Sequence, residues 1–264
     1  MVSAIGAQET RGSIAISGGR GTDVAGMSSS AVTVAPSLTS VGPTQSFSLS
    51  ASGARFSNSA WSASATASFQ ARASQASVAP TIDLGGTAGL SSYPFSYQMG
   101  EATPALEGRW GNLRVFGGAH LVAASSSRSL DSERPLGSVV PSASGGTSAT
   151  GVAGVGGATI TVAQTDGQNV LLSYRSEAGQ VAGGWQSDNT FGGTVSNDQV
   201  AVSGAIGLRR SVDGSTGFGS AALTLGITRA FALQVTGGSY PANRLLRTPA
   251  GQYVNVGAVM QLST

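Results

Sequence analysis

Cysteine and lysine are both missing from this chain, histidine occurs once, and charged residues fill only 10% of its 264 positions. Without cysteine there is no disulfide framework and no thiolate ligand for a metal. Charge at 10% lies far below the roughly 25% of ordinary soluble domains, so the composition fits a membrane-embedded chain or a repetitive extracellular β structure. All 14 basic residues are arginine against 12 acids, and a net charge of +2 gives no case for nucleic acid. Long apolar runs are lacking as well. Residues 24–54 and 135–164 carry no charge, but Gly, Pro and Ser break both, and neither supplies the ~20 apolar residues of a membrane helix. A chain of this kind crosses a membrane only as a closed barrel, because lipid satisfies no open sheet edge.

What the chain does have is alternation. From Ser59 to Ala73, SAWSASATASFQARA keeps period two without a break, with Trp61, Ala63, Ala65, Ala67, Phe69 and Ala71 on one face and Ser62, Ser64, Thr66, Ser68, Gln70 and Arg72 on the other. The run is longer and more lightly packed than a soluble half-buried strand. Trp61 and Phe69 share a face eight residues apart. At ~3.3 Å per residue and a tilt near 40°, that is roughly 20 Å along a membrane normal, close to the spacing of two aromatic girdles.

The same period recurs along the chain and predicts an all-β fold: a transmembrane antiparallel β-barrel of about 14 strands, with 12 as the fallback, occupying residues 11–264 as one domain. Residues 1–10 read as a flexible N-terminus or the small-residue remnant of a signal peptide. Short turns are expected at 40–44, 74–75, 111–112, 165–168 and 228–229, and longer loops at 91–100, 126–147, 209–217 and 241–251. Val181, Gly183 and Trp185 suggest one strand, whereas 187–197 shows no clear period. Short turns would be periplasmic and long loops extracellular, which puts both termini on the periplasmic side. Phe47, Phe69, Trp110 and Phe231 lie near the short turns, and Phe56, Trp61, Phe218, Tyr240 and Tyr253 near the longer loops. Together they predict two membrane-interface belts.

The closing stretch, with Asn255, Gly257, Met260 and Leu262, resembles the C-terminal targeting signal of bacterial outer-membrane β-barrels: polar, any, Gly, any, any, hydrophobic, any, hydrophobic. Members of that family often end on an aromatic, whereas here Ser263 and Thr264 follow Leu262. The resemblance implies insertion into the outer membrane of a Gram-negative envelope. Its implied partners are the barrel-assembly machinery and outer-membrane lipids.

Candidate functional residues are the charges on polar strand faces. A hairpin at Gly111-Asn112 sets Arg109 opposite Arg114 with Glu107 on the same face, and pairing across the 91–100 loop brings Asp83 toward Glu107 and Arg109. Arg175 and Glu177 extend this set, and His120 faces the same interior. In a channel such a network tunes solute selectivity; otherwise it neutralises and braces the interior. No catalytic site is expected. A Ser/His hydrolase would need a serine held against His120. Loop acids Asp131 and Glu133 read as solvated, and there is no phosphate-cradling motif, cofactor site or metal-ligand spacing. The interior is otherwise small and polar, so water fills it unless the N-terminus or the 126–147 loop folds inward. The expected function is a porin-like passive channel for small solutes. The alternatives are a closed barrel with a structural, adhesion or loop-binding role, and a secreted soluble adhesin-like protein.

Overall fold

The structure, a computed structural model, describes residues 9–22, 28–57, 61–91, 95–128, 147–165, 167–243, 245 and 250–262. Fourteen strands follow one another: β1 (Glu9–Thr22), β2 (Ser28–Val41), β3 (Gln45–Phe56), β4 (Trp61–Arg72), β5 (Val78–Ser91), β6 (Phe95–Trp110) and β7 (Leu113–Arg128), then β8 (Thr147–Thr165), β9 (Gln168–Val181), β10 (Gly184–Asn197), β11 (Val200–Ser211), β12 (Gly214–Gly226), β13 (Phe231–Tyr240) and β14 (Gly251–Leu262). Each pairs antiparallel with its sequence neighbours, and β1 closes on β14 from Gly12↔Leu262 to Gly21↔Tyr253. The chain is therefore a closed 14-strand antiparallel β-barrel with no free sheet edge. With strands ~4.8 Å apart and tilted about 40°, its backbone cylinder is roughly 25–30 Å across.

Side chains sort by parity. Ile16, Val34, Leu49, Leu84, Leu121, Ile206, Leu233 and Val256 all stand exposed on the outside. Their strand neighbours Ser17, Ala35, Ser50, Asp83, His120, Gly207, Gln234 and Asn255 face the lumen. The fold has almost no conventional core: among the described residues only Ala79, Ala124, Ala153, Val155, Val181 and Leu245 are buried apolar groups. Outside, Ala51, Gly53, Ala63, Ala65 and Ala88 replace large side chains, leaving a shallow groove of about 1080 Å³ bounded by Val34, Pro36 and Leu90. At the closing seam, a Cβ on Gly257 would collide with the carbonyl of Ile16 and the Cβ of Ser17. Close approach of β1 and β14 thus needs glycine there, whatever else reads that position.

Several boundaries differ from the expected ones. The first strand begins at Glu9, inside the segment expected to be flexible, and the rest of that segment lies outside the described residues. The weakly periodic stretch at 187–197 is one continuous strand, β10. Val181 and Trp185 belong to different strands, joined by a two-residue turn in which Ala182 has φ 49° and Gly183 φ 76°. Two successive positive φ values match the right-handed twist of a tight hairpin, a geometry that Ala-Gly does not advertise. The expected loop at 209–217 is strand on both sides of a turn at 212–213. Two of the turns at the end opposite the strand termini are therefore short.

Candidate functional site

Parity, register and side-chain reach build the lumen site. Glu107 in β6 is wholly buried, and three arginines converge on it. Arg109 Nε donates to Oε1 at 2.5 Å and Arg114 Nε to Oε2 at 2.5 Å, with Arg114 Nη2 also on Oε2. Arg109 and Arg114 are direct cross-strand partners, so the carboxylate between them relieves a like-charge pair. The third guanidinium is Arg72, 3.1 Å from Oε1 through Nε. It reaches from β4 across β5 because Ala79, the residue beside Glu107, is too small to intervene. Arg72 is itself buried and donates to the carbonyls of Ser74 at 2.7 Å and Ala76 at 2.6 Å, which fixes the turn after β4. Three guanidinium groups on one carboxylate leave a positive excess at the short-turn mouth.

Asp83 does not join this cluster. The expected 91–100 loop is mostly strand, since β6 starts at Phe95, and the shifted register places Asp83 opposite Thr103. That is four residues, roughly 13 Å, from the partner of Glu107. Its Oδ1 is buried without a hydrogen-bond partner. Arg72 takes the place expected for Asp83. Its lumen-side parity is visible in the sequence, but a reach across an intervening alanine is not.

A second cluster lies higher up. His120 presents Nδ1 to Glu177 Oε1 at 2.6 Å and Nε2 to Glu101 Oε2 at 3.3 Å, and Arg175 donates to Glu177 Oε2 at 3.2 Å. Here β8 is the strand crossed, and it offers Ala153 beside His120 and Val155 beside Glu177. With both imidazole nitrogens on carboxylates, neither is left for a serine nucleophile. Glu101 was not among the expected residues, although it shares parity with Glu107 on the same strand. A third pair was also missed: Asp188 accepts from Arg209 Nε at 2.8 Å and Nη2 at 2.6 Å. It lies in β10, where the period is weakest, and β11.

The lumen is narrowed at the end opposite the strand termini. Arg209 Nη1 donates to the carbonyl of Ala242 at 2.8 Å. Leu245, from the same β13–β14 connection, is buried against Ala124 and Val181, with Tyr97 and Met99 packed around them. Those residues belong to β6, β7 and β9, on the far wall, so this connection reaches across the mouth. The segments expected to fold inward, residues 1–8 and most of 126–147 with Asp131 and Glu133, lie outside the described residues.

Of the nine expected belt aromatics, Phe47, Trp61, Phe69, Trp110 and Phe231 face outward and are exposed. Phe56, Phe218, Tyr240 and Tyr253 face the lumen instead, because their register partners Ala31, Gly207, Gly251 and Gly238 do. Proximity to a loop says nothing of parity, and parity decides the face. Tyr174 and Phe191 are a further outward pair, cross-strand partners with ring centroids 4.7 Å apart. Inside, rings lie flat over glycine: Phe218 covers Gly207, Phe116 covers Gly157 and Tyr97 covers Gly89, so a Cβ at each glycine would strike the ring. These aromatics line the wall rather than obstruct the lumen.

No family model matches the chain, and no curated protein matches it. Among solved structures it is similar to the siderophore receptor PirA of Acinetobacter baumannii, at 12% identity and a TM-score of 0.39, covering 90% of this chain but only 44% of that one. It is similar to the outer-membrane protein Omp33 of Acinetobacter baumannii at 8% identity and a TM-score of 0.47, covering 96% of this chain and 99% of that one. For OmpF of Salmonella typhi, in complex with daunomycin, the identity is 8%, the TM-score 0.47 and the coverage 99% of each chain. The chain thus spans less than half the length of PirA. At this distance the architecture rests on the closed register itself.

Proposed function

We propose that this chain is an outer-membrane barrel acting as a porin-like passive channel for small solutes. The observation that carries the reading is the division of the two faces. Large aliphatic side chains stand exposed all round the ring, where only lipid could cover them, while hydroxyls, amides and ion pairs line a lumen whose other residues are mostly alanine and glycine. Lipids would meet the outer face, with Phe47, Trp61, Phe69, Trp110 and Phe231 near its edges. Asn255, Gly257, Met260 and Leu262 support recognition by the barrel-assembly machinery, and the proposed orientation puts the strand termini in the periplasm. The Glu107 cluster then stands at the periplasmic mouth and sets the field a solute meets there.

Planar-bilayer recording of protein folded in detergent, its folding shown by heat-shifted gel mobility, tests the reading. Discrete conductance steps are expected. Silence from the folded barrel would instead favour a closed barrel whose loops bind a partner, the second reading, which the inward position of Leu245 supports.

A further inference from the structure

Hydroxyls on two walls of the lumen have different partners. Along β1–β5 four pairs of lumen hydroxyls lie opposite one another and bond: Ser13 with Ser37 at 2.7 Å, Ser48 with Ser68 at 2.7 Å, Ser52 with Ser64 at 2.8 Å and Thr66 with Thr87 at 3.2 Å. Along β9–β14 four hydroxyls have a small register partner on one side: Ser173 faces Gly192, Ser220 faces Gly238, Thr236 faces Ala222 and Tyr253 faces Gly238. Thr194 and Ser203 are register partners. None of these six hydroxyls bonds to another described group of the protein.

The missing side-chain volume opens a recess of about 280 Å³ in the lumen wall, lined by all six hydroxyl-bearing residues together with Leu171. No charged side chain lines it. The lining defines the ligand by elimination. A charged solute would find no counter-charge, and an apolar one would strand the hydroxyls it covers. A neutral solute with hydroxyls round its rim and C–H groups on its faces satisfies both, the faces meeting Leu171 and the Tyr253 ring.

We propose that this recess is a binding subsite for a neutral polyhydroxylated solute about one sugar ring in size. The proposal deepens the channel reading and rests on it.

Saturation-transfer NMR on the full barrel, folded in a sugar-free detergent, tests it with D-glucose as probe and tetraethylene glycol as an uncharged solute of similar mass carrying only terminal hydroxyls. A saturable glucose signal is expected, with none for the glycol. Thr194→Val and Ser203→Ala should each weaken glucose binding about 3- to 10-fold. Ala222→Leu, which fills the recess and leaves every hydroxyl in place, should abolish it. If Ala222→Leu fails to show heat-shifted mobility, the double variant Thr194→Val with Ser203→Ala carries the test. Equal signals from glucose and glycol, no saturable glucose signal, or a glucose signal unchanged in these variants would each overturn the subsite. Bilayer recording on the same preparation separates the two readings: current without a glucose signal sinks the subsite alone, and a glucose signal without current sinks the channel alone.

Discussion

From β1 to β8, polar side chains on the lumen face are mostly engaged with one another: serine bonds serine, and Glu107 gathers Arg72, Arg109 and Arg114. From β9 to β14 Ser173, Ser220 and Thr236 stand opposite glycine or alanine, and Asp188 forms an ion pair with Arg209. Arg175 and Glu177 face back toward His120 and so belong to the first group. Register separates the two sets of hydroxyls. Ser13 with Ser37, Ser48 with Ser68 and Ser52 with Ser64 close bonds that brace the sheet, whereas Ser220 opposite Gly238 leaves space and an unused donor. The first wall is thus braced by its own bonds, and the second leaves hydroxyls open to the lumen.

Breaking the first wall at its centre has the largest expected effect. Glu107→Gln leaves Arg72 buried without a full counter-charge and Arg109 facing Arg114 with the repulsion unrelieved, which should cost about 3–5 kcal/mol, read as a lowered urea midpoint for the barrel in lipid vesicles. Tolerance should follow the face of the wall rather than the half of the ring. Ala65→Arg on the outer face should lose about 2–4 kcal/mol in the same assay, while Ala205→Arg on the lumen face of the second wall should lose under about 1 kcal/mol. Equal losses would mean that the exterior does not meet lipid. The smallest effect is the most direct comparison. Ser52→Ala removes a bond to Ser64 and should cost about 0.5–1.5 kcal/mol, whereas Ser203→Ala removes none and should leave the midpoint unchanged.

Much of the fold was legible from side-chain period. Fourteen strands, the outward face of most aliphatic residues and the cross-strand meeting of Arg109 and Arg114 all follow from a two-residue repeat, while Val181, grouped with Trp185 by that repeat, faces the lumen from a different strand. Parity also held the answer for Phe56, Phe218, Tyr240 and Tyr253, which nearness to loops misplaced. What the repeat does not carry is register between distant strands. One misjudged connection, at 91–100, shifted Asp83 away from Glu107, and no local pattern shows Arg72 or Glu177 reaching across a strand that happens to offer alanine or valine.

The sequence by itself determined all-β strands with one apolar and one polar face, and a closed barrel wherever those faces meet a membrane, because charge scarcity, broken apolar runs and period-two alternation leave no spanning helix and lipid satisfies no open sheet edge. Only the tertiary structure decided which polar groups meet: the burial of Glu107 among three arginines, the reach of Leu245 across the mouth, and the hydroxyls left open along β9–β14. The reason is physical. Alternation fixes the side of the wall on which a residue stands, but its partner depends on turn lengths and on small residues in neighbouring strands, and those come together only when the ring closes.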